Sequence, residues 1–104
     1  MNTDKQIIDL QSLQDDITKW QIDTFGPSWD QALRHLQSEV DEVLADPDDI
    51  SEYADLLIPL LGSAGQRGYS VADLIKAAVD KMIINKTREW GPVNDRGFRE
   101  HIKG

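Results

Sequence analysis

A chain of 104 residues that is 39% hydrophobic and contains no cysteine is long enough for one small domain but not for two, and it excludes a disulfide framework, a thiolate metal site and a cysteine nucleophile. The net charge of −8 repels nucleic-acid phosphates and anionic membranes, so neither is expected as a partner. No apolar run reaches the ~18–20 residues that span a bilayer, and the start of the chain lacks the layout of a signal peptide, so a cytoplasmic protein is the simplest fit.

Residues 5–23 set Ile7, Ile8, Leu10, Leu13, Ile17, Trp20 and Ile22 at the spacing of an amphipathic first helix. Thr24-Phe25-Gly26-Pro27 ends it. Ser28 reads as the N-cap of a second helix, with Gln31 three residues on completing a capping box. The stripe Trp29, Leu33, Leu36, Val40, Val43 and Leu44 carries that helix to about Ala45. Asp46-Pro47-Asp48-Asp49 reads as cap, proline at the first helical position, and acids in the first turn. The third helix so opened runs to about Gln66 and turns over at Gly68. Its apolar face is wide (Ile50, Tyr53, Ala54, Leu56, Leu57, Leu60, Leu61), which predicts a central place. Ser70 with Asp73 opens a fourth helix to about Glu89. From about Gly91 the tail is expected to be irregular, and no segment alternates as a strand would. The expected fold class is therefore all-α, a compact four-helix domain occupying residues 1–104. A chain this short builds a modest core, so the wide third helix also points to an obligate homo-oligomer, a dimer or tetramer.

Charge is distributed unevenly. Between His35 and Gln66 there is no Lys or Arg but eight carboxylates, whereas six of the eleven Lys and Arg residues lie from Lys81 onward. Glu39 and Glu42 stand at i and i+3 on the second helix, and Glu52 and Asp55 do the same on the third. The short connection predicts a helical hairpin that brings both pairs together. Hard divalent cations take carboxylate oxygens. The rise between i and i+3, about 4.5 Å, suits ligands for ions about 3.5–4 Å apart. Like charges repel about fourfold more strongly at an effective dielectric near 20 than in water. Four carboxylates converging in a cleft therefore need a cation or a proton, while four pointing outward need neither, and none has a Lys or Arg at i±3 or i±4. A solvated acidic hairpin and a metal site both stand open on spacing alone. Pro59 cannot donate to the carbonyl of Asp55, so any bend falls beside a candidate ligand or is simply a packed proline kink. Lys81, Asn85 and Arg88 form a stripe of donors at i, i+4 and i+7 that suits phosphate oxygens, or else serves the helix dipole.

These residues carry a resemblance. E-x-x-E at 39–42, E-x-x-D at 52–55 and K-x-x-x-N-x-x-R-x-W at 81–90, in that order and spacing, resemble the MazG-like all-α nucleoside triphosphate pyrophosphohydrolases. W-Q-x-x-T-F-G at 20–26, H-L-x-x-E at 35–39 and I-N-K-x-R-E-W at 84–90 look more closely like the dATP/dGTP diphosphohydrolases of bacteriophages and prophages, which include the MazZ-type enzymes that remove dGTP. The resemblance covers about residues 15–103. It implies hydrolysis of dGTP or dATP to monophosphate and pyrophosphate, in a bacterial cell or phage-infected host. It also implies two or more Mg²⁺ ions, replaceable by Mn²⁺, on Glu39, Glu42, Glu52 and Asp55. Glu39 or Glu42 would orient the attacking water, and Lys81, Asn85 and Arg88 would hold the β- and γ-phosphates. Trp20, Phe25 and His35, with Trp29 as a further candidate, would meet base or sugar, although core packing is the other reading of each. Ser38 stands where many MazG-like proteins have a further acid, and the spacing from Glu42 to Glu52 is short. The competing class is a non-enzymatic acidic helical phage protein that presents carboxylates to a basic partner. It accounts for the charge, but not for the paired acids or the basic stripe.

Overall fold

The computed structural model describes residues 9–102. Helices α1 (Leu10–Phe25), α2 (Trp29–Ala45), α3 (Ile50–Gln66) and α4 (Val71–Thr87) follow in order. Asp9 caps α1, accepting from the Ser12 N–H at 3.1 Å; Ile7 and Ile8 lie outside the described residues. The helix continues through Thr24 and Phe25 before Gly26 stops it. Ser28 precedes α2 as expected, but the capping box with Gln31 does not form. The Ser28 Oγ donates to Asp30 Oδ1 at 2.9 Å, and its N–H is taken by Gln66 Oε1 at 2.9 Å.

Asp46 closes α2 and does not open α3: its N–H bonds to the carbonyls of Glu42 and Val43. The cap of α3 is Asp49, which accepts from the Ser51 N–H at 2.9 Å. Pro47 therefore belongs to the turn and not to the first helical position. At the far end of α3, the Tyr69 N–H bonds Ala64 O and the Gly68 N–H bonds Gly65 O, while Gly68 takes φ +87. This Schellman closure needs a residue free of Cβ strain at Gly68. Ser70 and Asp73 form the expected reciprocal box at the start of α4, with distances of 3.0 and 3.1 Å. That helix ends at Thr87, short of Glu89.

The expected irregular tail is instead a small hairpin. Strand β1 (Trp90–Val93) pairs antiparallel with β2 (Arg99–His101), in register Trp90↔His101 and Val93↔Arg99 with an irregularity between. The Asn94 side chain builds the turn, accepting from the N–H groups of Arg96 and Phe98. Strands of four and three residues, one of them holding Gly91-Pro92, are too short for alternation to register.

The described residues form two compact units that divide between Leu74 and Ile75. In the first, α3 packs against both α1 and α2, as its broad apolar face predicted. The apolar core is small: Ile17, Leu61 and Val71, with Leu13 and Leu74 against them. Polar side chains complete it. Gln14 is buried and donates from Nε2 to the carbonyls of Leu61 and Tyr69, at 3.1 and 3.0 Å. Its oxygen accepts from Gln11, whose own oxygen takes the otherwise orphaned first N–H of α4, at Val71. Every buried side-chain polar atom among the described residues has a partner, so this glutamine chain ties α1 to the α3–α4 turn without an unsatisfied group.

Glycine sets how closely α1 and α3 approach. A Cβ on Gly62 would lie 2.2 Å from the amide atoms of the buried Gln21. Gly62→Ala gains about 1 kcal/mol of helix propensity but forces a tight contact apart, at about 1–3 kcal/mol. At this distance the upper part of that range applies, and the variant is expected to melt several degrees lower. An unchanged or higher transition by circular dichroism would contradict the close approach.

Candidate active site

The turn after α2 folds α3 back beside it and brings acids from both helices together. One carboxylate oxygen each from Glu39, Glu52 and Asp55 lies within 4.8 Å of the others. Glu39 and Glu52 are half-buried and Asp55 is exposed. Glu42 is exposed and stands outside this trio. Its charge still acts on the site: Glu52 is pushed above the ordinary carboxylate value first by loss of hydration, then by Asp55, Glu42, Asp49 and Glu39. No Lys or Arg among the described residues pairs with any of the four. The neighbour Glu39 does have is His35, whose Nε2 hydrogen bonds its Oε1 at 2.9 Å and fixes that carboxylate. A donor set of carboxylate oxygens alone, uncompensated by cationic side chains, fits a hard divalent ion such as Mg²⁺ or Mn²⁺ and disfavours a soft one.

Two of the three carboxylates, Glu39 and Asp55, line a cleft of about 580 Å³, within the size range of small-molecule sites. Along α2 its lining runs Ser28, Gln31, Ala32, His35, Glu39; along α3 it runs back through Asp55, Ile58, Pro59 and Gln66. Trp20, Gln21, Phe25 and Gly26 of α1 and its C-cap close the wall. Acids therefore occupy the end near the α2–α3 turn, and aromatic and amide groups occupy the other. Trp20 and Phe25 meet edge to face with centroids 5.5 Å apart, and they are 51% and 56% exposed. Core packing does not account for either. Trp29 does not line the cleft: its ring lies under the Arg67 guanidinium, 5.1 Å away. The sequence reading missed Gln21, Gln31 and Gln66. A signal existed for Gln21, because it continues the buried stripe Gln14, Ile17 of α1, where an uncharged polar residue needs a partner.

Lys81, Asn85 and Arg88 belong to the second unit, the first two on α4 and Arg88 just beyond its end. Lys81 is exposed, while Asn85 and Arg88 are half-buried. The Asn85 carbonyl accepts from the Arg88 N–H at 3.3 Å and from Trp90 Nε1 at 3.1 Å, which organises the end of the helix. Neither Lys81 nor Arg88 pairs with a carboxylate among the described residues.

Comparison with known proteins adds independent findings. Residues 13–104 match the family model for dATP/dGTP pyrophosphohydrolase. Among solved structures, the cyanophage S-2L MazG-like pyrophosphohydrolase, bound to dGDP and three catalytic Mn²⁺ ions per active site, is similar with a TM-score of 0.68 and 30% identity, over 88% of this chain and 94% of that one. The Eaa protein of Salmonella phage P22 is 39% identical over 59 residues, 57% of this chain; the match spans only 19% of that longer relative. No helix among the described residues is long and apolar enough to cross a membrane.

Proposed function

The chain belongs to the dATP/dGTP pyrophosphohydrolase family, and from that premise we propose that it hydrolyses purine deoxynucleoside triphosphates to the monophosphate and pyrophosphate. The observation that carries this reading is the shared cleft. Glu39 and Asp55 line the same space as Trp20, Phe25 and His35, so a carboxylate end suited to cations and phosphates continues into an aromatic end suited to a base. The dGDP and Mn²⁺ of the S-2L enzyme support both halves. The match over residues 13–104 supports treating the chain as one pyrophosphohydrolase domain, working in the cytoplasm of a bacterial cell or infected host.

In this reading Glu39, Glu42, Glu52 and Asp55 hold Mg²⁺, with Mn²⁺ as substitute and more than one ion per site. Bound there, the cation supplies Lewis-acid polarisation of the phosphoryl oxygens and a stronger water nucleophile at neutral pH. The protein's own groups do the positioning. Either Glu39, braced by His35, or Glu42, which keeps its carboxylate outside the trio, orients water for in-line attack at the α-phosphorus. Lys81 and Arg88 supply positive charge, and Asn85 an amide donor, to hold the β- and γ-phosphates that leave as pyrophosphate. Trp20 and Phe25, set edge to face, meet the base with one ring face and one ring edge, and His35 reaches toward the sugar.

Incubation with each dNTP and Mg²⁺, followed by nucleotide chromatography, tests the reading. The expected products are the monophosphate and pyrophosphate in equal amounts. No turnover of any dNTP would return the chain to the class of non-enzymatic acidic binders. The assembly is expected to be a homodimer or homotetramer. Ile50 is 84% exposed and Leu44 74%, an amount of open apolar surface that the small core does not cover. Sedimentation at micromolar concentration should show species heavier than 11.8 kDa; that mass alone would refute assembly.

A further inference from the structure

We propose that Gln21 reads the base: it presents a fixed amide N–H donor on the cleft wall, which selects a purine with an acceptor at its 6-position, guanine, over adenine. The inference rests on the cleft being a purine dNTP site. Its origin is a backbone group. The N–H of Ser28 can only donate, and at 2.9 Å it meets the Gln66 side chain, so the atom there is Oε1. This orientation points Gln66 Nε2 at Gln21, 2.7 Å away, and Gln21 must meet it with its oxygen. Turning either amide over would set donor against donor or acceptor against acceptor.

The Gln21 Nε2 is thereby left over. No described residue accepts from it, yet no buried side-chain nitrogen among the described residues lacks a partner, so this nitrogen keeps some exposure, and the cleft is the open space that Gln21 lines. The rest of the side chain is buried, with its amide lying flat on Gly62. A donor held this rigidly distinguishes ring edges. Guanine offers the acceptors O6 and N7 on that edge, whereas adenine pairs its N7 acceptor with an N6 amino donor. Facing the 6-position, Gln21 bonds guanine and meets a second donor in adenine, leaving both unpaired. Aromatic contact with Trp20 and Phe25 makes no such distinction.

Gln66→Glu tests the relay without changing shape. One carboxylate oxygen still accepts from Ser28, and the other now accepts from Gln21, which turns over and shows its oxygen to the cleft. Wild-type protein is expected to favour dGTP over dATP by about tenfold or more in kcat/KM. In Gln66→Glu that ratio should fall by about tenfold or invert, through KM and not kcat, with the melting transition retained. Gln21→Glu, which replaces the donor directly, should move the ratio the same way. Turnover with no dGTP preference in the wild type, or an equal loss for both nucleotides in both variants, overturns this inference while leaving the pyrophosphohydrolase reading intact. Wild-type protein that hydrolyses no dNTP overturns that reading, and this inference with it.

Discussion

Asp55→Asn is expected to keep its helix content, lose at least about a hundredfold of its dNTP turnover, and melt at a higher temperature than wild type in metal-free buffer. The activity loss follows from removing the charge of one of three converging carboxylates; groups that merely support metal ligands are already worth about 10–100-fold. The gain in stability follows from like charge. Glu52 is held above the ordinary carboxylate value by loss of hydration and then by Asp55, Glu42, Asp49 and Glu39. A carboxyl whose folded-state pKa is raised contributes stability that is fully present below its unfolded value and lost as pH rises through its folded one. Removing the Asp55 charge lessens that loss. The melting advantage of the variant should therefore be small near pH 4 and grow toward neutrality. Added Mg²⁺ should reverse the order, raising the wild-type transition more than that of the variant. Wild-type rates in Asp55→Asn, or melting curves that coincide at every pH, would show the acids to be an ordinary solvated face. The same measurements divide the roles of Glu39 and Glu42. Glutamine at a position that only binds metal weakens Mg²⁺ affinity, whereas glutamine at the water-orienting position lowers kcat at saturating Mg²⁺.

The carboxylate hairpin was legible because its signals are local. Two i,i+3 pairs flank a turn rich in Asp, and helical geometry does the rest. Turn chemistry was less legible. Asp46 and Asp49 are both competent caps, and only the backbone decides that the first closes α2 and the second opens α3. The capping box at Ser28 failed for a nonlocal reason: its N–H bonds Gln66, 38 positions away, and no spacing rule near Ser28 contains that residue. The hairpin at Trp90–His101 escaped because its pairing depends on Asn94 and Gly97 shaping a turn, not on alternating side chains. The same distinction separates the two ends of the cleft. Its acids lie on regular helical stripes, whereas Gln21 and Gln66 act through a contact between α1 and α3 that Gly62 permits. The aromatic residues were readable as base or sugar candidates only through the motif W-Q-x-x-T-F-G, with core packing as the other reading, and it is their exposure in the folded chain that sets Trp20 and Phe25 apart from core.

Trp20→Ala is expected to raise KM for dGTP and dATP by roughly 5- to 150-fold, the equivalent of the 1–3 kcal/mol that base–aromatic stacking contributes. The indole is 51% exposed and packs edge to face on Phe25, so its removal takes a wall from the cleft without opening the Ile17–Leu61–Val71 core. The melting transition should shift little while KM moves by an order of magnitude. A purine covers more of such a wall than a pyrimidine. Wild-type protein is therefore expected to consume dGTP and dATP before dCTP and dTTP when all four compete in one tube, and Trp20→Ala should compress that difference. His35→Ala should narrow it as well and also lower kcat, because the Nε2 contact that fixes Glu39 goes with it. An unchanged KM in Trp20→Ala would remove the base from this end of the cleft. Earlier loss of dCTP or dTTP in the competition would make the purine assignment wrong while leaving cleavage to monophosphate and pyrophosphate in place, since the carboxylates that carry that chemistry lie at the other end.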